Sequence, residues 1–236
     1  PFKLASMHSN LDLTSHYEVT NDSGITQTLE KDYLSSTSVG EYIKSANYAD
    51  NALGDFISYI KNSNYFNNTV FVFYGDHDAK LSRNEINYLY NLNPETGGVY
   101  KKGDKNYVLY DYYEHELNKK TPLIIWSKNK ELQSIFKGEV TYTMGMYNVA
   151  ATILNMYGIY NKYNVGEDIF TVKDNNLVIY PNGNILTNKV YYNNSTNEYK
   201  ELTDEKIDKE YLDNIKSIAE KRLDVSNAII VYNLLE

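Results

Sequence analysis

Thr69-Val70-Phe71-Val72-Phe73-Tyr74-Gly75-Asp76-His77-Asp78 decides how this chain is read. The run from Thr69 to Tyr74 is short, continuously apolar and rich in β-branched and aromatic side chains. That is the pattern of a strand buried on both faces, as in a parallel sheet covered by helices. The run stops abruptly at Gly75, and an acid and an imidazole follow at once. In open α/β sheets ligands bind just beyond the carboxyl ends of strands. A carboxylate beside a neutral imidazole is a reasonable half of a divalent-metal site. The plainer alternative is a strand-end turn in which Asp76 caps and His77 is exposed; two ligands do not make a metal centre.

The same alternation continues on both sides. Pro1–Met7 (PFKLASM) reads as another buried strand, ending at His8-Ser9-Asn10. If the two strands are parallel neighbours, His8 and His77 share one sheet edge, where His8 can bind an anionic group or move a proton near neutral pH. Asp12 to Asp32 reads as loop with room for one helical turn. Val39, Tyr42, Ile43, Ala46, Ala49, Leu53, Phe56, Ile57 and Ile60 recur at helical spacing, with Ser36 or Ser38 as the expected cap. Leu81–Leu92 has a helical pattern, and Asn93–Asn106, with Pro94 and three glycines, reads as a mobile loop. Pro122–Ser127 and Val140–Met144 read as strands. Met146, Ala150, Ile153, Leu154 and Tyr157 mark a helix stopped by Gly158.

From Leu177 the period changes to that of an antiparallel meander, with a turn at Pro181-Asn182-Gly183-Asn184. Ile207, Tyr211, Ile215, Ile218 and Arg222 space out a last helix, and Ala228–Leu235 reads as a strand or a final helical turn. The expected organisation is therefore an α/β unit over 1–170, with a mostly parallel sheet flanked by helices. A small antiparallel α+β subdomain follows over 171–236.

Composition bounds the function. The chain has 236 residues, 23 Lys+Arg against 31 Asp+Glu, a net charge of −8 and no cysteine. Thiol catalysis, a Cys-ligated zinc and a disulfide scaffold are excluded. The acidic balance argues against a general nucleic-acid binder. No apolar run approaches the roughly 18 residues needed to span a bilayer. The 25 tyrosines, with abundant Asn and Lys, read as coding bias of an AT-rich genome. His16 and His115 lie in polar stretches and read as solvated. Lys80 or Arg83 can meet an anionic substrate, and a solvated helix start explains them equally well.

Six segments, in order, resemble the sulfatase/alkaline-phosphatase superfamily, and within it the lipoteichoic acid synthase branch of phosphoglycerol transferases. They are Ser6-Met7-His8; Asn47–Phe56 (NYADNALGDF); Val72–His77 (VFYGDH) with Thr121–Trp126 (TPLIIW); Asn148–Ile159 (NVAATILNMYGI); and Gly166–Phe170 (GEDIF). The resemblance implies that Asp76 and His77 ligate a catalytic divalent cation, commonly manganese, with magnesium or zinc as alternatives. It implies that His8 contacts the phosphoryl or glycerol group of the substrate.

It also implies a nucleophilic threonine and a glutamate ligand in an upstream half that no residue here matches. The chain is therefore expected to be the C-terminal half of an enzyme domain on the extracellular face of a cell membrane, anchored by upstream helices. The implied reaction moves glycerophosphate from a phospholipid to a polymer or glycolipid. The isolated chain, lacking any catalytic nucleophile, is expected to be inactive. Two departures stand out: Asn148 and Ala151 replace the Asp and Pro usual in that helix, with a packing effect expected, and Ser9-Asn10 follow His8 in place of the usual segment. Competing readings are a sulfatase, phosphoethanolamine transferase or phosphodiesterase on the same fold, and an inactive cell-surface module that binds glycan or teichoic acid.

Overall fold

The structure is a computed structural model that describes residues 18–20, 26–28, 37–93, 95–172 and 176–235. The strand expected at Pro1–Met7 and the candidate residue His8 lie outside them. The chain divides into two compact units, Pro1–Lys137 and Gly138–Glu236. The boundary expected near residue 170 falls inside the second unit.

In the first unit, β1 (Glu18–Thr20) and β2 (Thr26–Thr28) pair antiparallel, within a stretch that the sequence reads as loop. Helix α1 (Ser38–Asn62) follows, capped by Thr37, whose hydroxyl accepts the Gly40 N–H at 3.0 Å. The cap is thus the residue between the two serines expected to supply it. Val39 and Ile60 are buried at opposite ends of the helix, whereas Leu53, near its middle, is exposed. Strand β3 (Phe71–Tyr74) lies beside β4 (Leu123–Trp126). An aromatic cluster mounts α1 on this pair: Phe71 meets Phe56 edge-on at 6.1 Å, Phe66 at 5.9 Å and Trp126 at 5.7 Å. Such ring pairs each contribute about 0.5–1.5 kcal/mol beyond their burial.

β3 and β4 are antiparallel, with Phe71 opposite Trp126 and Tyr74 opposite Leu123. Every strand pairing among the described residues is antiparallel. The mostly parallel sheet expected from the apolar runs is therefore not what β3 and β4 form with each other. An apolar run reports burial and carries no information on the direction of the neighbouring strand.

Three short helices complete the described part of the unit. α2 (Arg83–Asn91) starts in a reciprocal capping box: the Ser82 N–H donates to Glu85 Oε2 at 2.6 Å and the Glu85 N–H donates to Ser82 Oγ at 3.3 Å. α3 (Tyr112–Leu117) and α4 (Lys130–Ile135) are capped by Asp111 and Asn129. The loop after α2 is tied at its root. Buried Asn91 donates to the Val108 carbonyl at 3.0 Å and accepts the Val108 N–H at 2.8 Å, pairing with it as a strand neighbour would. His115, expected to be solvated, is half-buried, with Nδ1 at 3.4 Å from the Tyr110 hydroxyl.

The second unit contains α5 (Asn148–Met156), the meander β5 (Val178–Ile179), β6 (Ile185–Leu186), β7 (Val190–Asn193) and β8 (Glu198–Glu201), and the long α6 (Lys209–Val231). The four strands are neighbours in sequence order. Leu177, Ile179, Ile185, Val190 and Tyr192 meet Ile215 and Ala219 of α6 in one buried core. Tyr191 points to the other face, as strand alternation requires, and is also fully buried; its hydroxyl accepts a hydrogen bond from Asn184 at 2.8 Å. The hairpin turn between β5 and β6 closes with the Gly183 N–H on the Tyr180 carbonyl at 2.9 Å, and Gly183 takes φ 82°, where L-residues are strained. Ala228–Val231 belong to α6, so the last apolar run is helical.

Val140–Met144, expected as a strand, is irregular. The backbone of Thr143 bonds to side chains instead: its N–H donates to Asn188 Oδ1 at 2.6 Å, and Asn176 donates to its carbonyl at 2.7 Å. The alternation of apolar residues is present, but among the described residues no strand pairs with it.

Candidate metal-ligand pair at the end of β3

β3 delivers its last residues to a turn held from both sides. The Gly75 N–H donates to the Pro122 carbonyl at 3.1 Å, extending the β3–β4 ladder by one bond. A Cβ at position 75 would stand 2.9 Å from Thr121 Cβ, so β4's entry leaves room only for glycine. Seven residues later the capping box of α2 fixes the other end of the loop. The turn is polar and open. Asp76 and His77 side chains are 86% and 42% exposed. Lys80 adopts a left-handed backbone with φ 53°.

Asp76 Oδ1 and His77 Nε2 face each other at 3.7 Å. Two donors bound to one cation at the usual bond lengths sit about 3–3.5 Å apart, for tetrahedral zinc or octahedral magnesium alike. The pair is close to that separation, and its oxygen–nitrogen chemistry suits a borderline divalent ion. His77 Nδ1 lies 2.6 Å from the Asp78 carbonyl oxygen. That oxygen only accepts, so a hydrogen bond at this contact requires the proton on Nδ1 and leaves Nε2 as the donor atom of a neutral ring. These residues therefore fit a divalent cation as two of its ligands. Among the described residues no group of three or more His, Asp or Glu side chains is gathered closely enough to hold a metal alone. His8 lies outside the described residues.

Two cavities among the described residues lie away from this pair. One of about 570 Å³ runs between the end of α1 and the end of β4, beside Lys61, Ser63, Asn67 and Lys128. Lys128 there is structural: its ammonium donates to the Ile60 and Ser63 carbonyls, capping the negative end of α1. A second, of about 840 Å³, is an open depression along the first turn of α6. Neither contains Asp76 or His77.

The second unit accounts for a departure noted in the sequence. Asn148 is fully buried at the start of α5. Its Oδ1 accepts the Gly145 N–H at 3.0 Å and its Nδ2 donates to the Glu167 carbonyl at 2.9 Å. Fully buried Thr152 donates to the Asn148 carbonyl at 2.8 Å and accepts the Ile169 N–H at 3.0 Å. The Gly166–Phe170 segment is thereby clamped to α5. A Cβ at Gly166 would fall 2.2 Å from the Tyr147 carbonyl oxygen, which glycine alone avoids. The amide at 148 acts in packing, as its position in the helix pattern suggests. The sequence reading missed the Pro122 and Asp78 carbonyls that hold the candidate pair. Backbone acceptors leave no residue-type signal, and only the strand register brings Pro122 to Gly75.

A sulfatase family model matches residues 3–159. The chain belongs to the sulfatase family. Over nearly its whole length it is similar to lipoteichoic acid synthases. It is 28% identical over 229 residues to lipoteichoic acid synthase 1 of Bacillus subtilis (strain 168), covering 95% of this chain and 32% of that protein. It is 29% identical over 228 residues to lipoteichoic acid synthase of Staphylococcus aureus (strain USA300), covering 93% of this chain and 31% of that protein. The chain thus spans about a third of the length of these relatives. The family is one of enzymes with an α/β catalytic fold, in keeping with the helices and sheets described above. Among the described residues no helix is long and apolar enough to cross a membrane.

Proposed function

We propose that this chain is the metal-ligating portion of a phosphoglycerol transferase acting at the outer face of a cell membrane. The reaction moves glycerophosphate from a phospholipid to a glycerophosphate polymer or glycolipid, through a phospho-threonine on a residue that this chain does not supply. The observation that carries the reading is the facing pair of Asp76 Oδ1 and His77 Nε2 at the end of β3, in a chain similar to lipoteichoic acid synthases over 95% of its length.

Asp76 and His77 would hold a divalent cation, manganese by preference, with magnesium and zinc as the other choices. When bound, the cation lowers the pKa of a coordinated hydroxyl and neutralises charge on the transferring phosphoryl group. Asp76 brings a full negative charge that raises affinity for the ion. His77 brings a neutral nitrogen held in orientation by its other ring nitrogen. The turn places both at an exposed edge, where a large lipid headgroup can approach. His8 would contact the phosphoryl or glycerol group.

With a partial ligand set and no matched nucleophile, the isolated 236 residues should bind Mn2+ weakly and turn nothing over. A protein extended to the length of the relatives should release diacylglycerol from phosphatidylglycerol. Release by the isolated chain contradicts the proposed division of labour. Release of sulfate from aryl sulfate esters by the extended protein, without phosphatidylglycerol cleavage, moves the reading to a sulfatase of the same fold. Binding of glycerophosphate polymer that survives both metal removal and Asp76→Ala moves it to a binding module.

A further inference from the structure

One contact in the β3 turn goes beyond what metal ligation by Asp76 and His77 requires. The Asp78 carbonyl oxygen lies 2.6 Å from His77 Nδ1. The ring of free histidine favours the opposite tautomer, with its proton on Nε2, so in the absence of this carbonyl the ring would mostly present the wrong nitrogen. The segment that carries Asp78 is not loose at its ends. Gly75 is bonded to the Pro122 carbonyl at 3.1 Å. Ser82 exchanges two bonds with Glu85 at the start of α2. Between these anchors the left-handed backbone of Lys80, at φ 53°, turns the chain.

We propose that the Asp78 carbonyl is a positioning group, which holds His77 in the Nδ1–H tautomer and presents the Nε2 lone pair beside the Asp76 carboxylate before any cation arrives. The proposal rests on the metal reading above and deepens it. The side chain of Asp78 has no part in it; the backbone oxygen does. Holding one tautomer and one ring orientation in advance removes their cost from the binding step.

The tautomer is read directly by long-range proton–nitrogen NMR of the metal-free 236-residue chain, at a pH where the ring is neutral. His77→Gln assigns the signals by their loss. The expected spectrum has a protonated Nδ1 and an unprotonated Nε2; a majority of Nε2–H overturns the proposal. An ester in place of the Asp78–Ala79 amide, introduced as lactic acid at position 79, weakens the carbonyl as an acceptor and leaves every side chain in place. It should shift the population toward Nε2–H. It should also raise the Mn2+ concentration that half-broadens the His77 ring signals by about threefold or more, toward the range seen when the outer partner of a metal-binding histidine is lost. No change in either quantity overturns the proposal.

Asp76→Ala separates the two ideas, because the Nδ1 contact does not involve that side chain. The variant should keep the Nδ1–H tautomer and lose Mn2+ broadening at His77. Broadening unchanged by Asp76→Ala sinks the metal reading with the tautomer assignment intact. Mn2+ binding that needs Asp76, on a ring protonated at Nε2, sinks the positioning role alone.

Discussion

The turn after β3 and the corner beneath α5 use the same kinds of polar residue in opposite ways. At the corner, Asn148 and Thr152 are fully buried, and each is bonded on both its donor and its acceptor side. Among the described residues no buried side-chain nitrogen or oxygen lacks a partner. At the turn, Asp76 and His77 are exposed, and the atoms that face each other, a carboxylate oxygen and an imidazole nitrogen 3.7 Å apart, stand beyond hydrogen-bond distance and gain little from the encounter without a cation between them. Polar groups that hold a fold together are buried and paired, because leaving one unpaired there costs about 1–3 kcal/mol. Polar groups kept for chemistry are left accessible and only partly satisfied.

That contrast breaks most visibly at Asp76. In a protein extended to the length of the relatives, Asp76→Ala should lower metal-dependent transfer by about a hundredfold or more, since the ion supplies several kcal/mol of charge stabilisation. The same change should leave the unfolding free energy, from denaturant titration, within about 0.5 kcal/mol of the wild type, as for other exposed sites. Asn148→Ala should do the reverse. It strands the Gly145 N–H and the Glu167 carbonyl and opens a small void, so unfolding of the second unit should become easier by about 2–4 kcal/mol. Equal stability losses in the two variants would erase the distinction.

Gly75→Ala tests the support of the turn. The new methyl group must displace Thr121 or the strand end, at a cost of about 1–3 kcal/mol. Thermal unfolding measures that cost, and Thr121→Ser, which removes Cγ2 at 3.2 Å from the added atom but leaves Cβ, should recover part of it.

Smaller effects follow pH. Burial pushes the Tyr147 hydroxyl above its ordinary value of 10.0, against the opposing bond from the Ile179 backbone. Its folded pKa is raised, so the stability it contributes is fully present below about pH 10 and is lost as pH rises beyond. Alkaline titration followed by tyrosinate absorbance should show this hydroxyl ionising together with unfolding of the second unit. The hydroxyls of Ser38 and then Ser82 hold Glu85 below its ordinary 4.5. Its contribution is present above that value and is lost as pH falls through the lowered pKa. Loss of the α2 amide protection under acid, with Glu85→Gln insensitive to it, checks the sign.

The sequence made the long elements legible and left the connections between them obscure. α1, α5 and α6 carry apolar residues at helical spacing over enough turns to be unambiguous, and the meander alternates with Asn-Gly at its first turn. The direction of β4 against β3 was not legible, because a run such as Leu123–Trp126 looks the same whichever way its neighbour points. Val140–Met144 alternates like a strand, yet the Thr143 N–H and carbonyl within it bond to the Asn188 and Asn176 side chains, and no one-dimensional pattern announces such a long-range exchange. The short helices α3 and α4 were missed for a related reason: six residues give too little period to read. Asp76 and His77 were legible as a candidate pair because an apolar strand ends on them so sharply. Their facing geometry and the carbonyl contact at His77 Nδ1 were not legible, since a backbone oxygen leaves no residue-type signal.

The measurement closest to the central claim is Mn2+ titration of diacylglycerol release from phosphatidylglycerol, using the extended protein and its Asp76→Ala variant side by side. The account predicts saturable activation of the wild type and at most about a hundredth of that rate in the variant at any metal concentration. Release that needs no divalent cation, or that is equal in the two proteins, would contradict it.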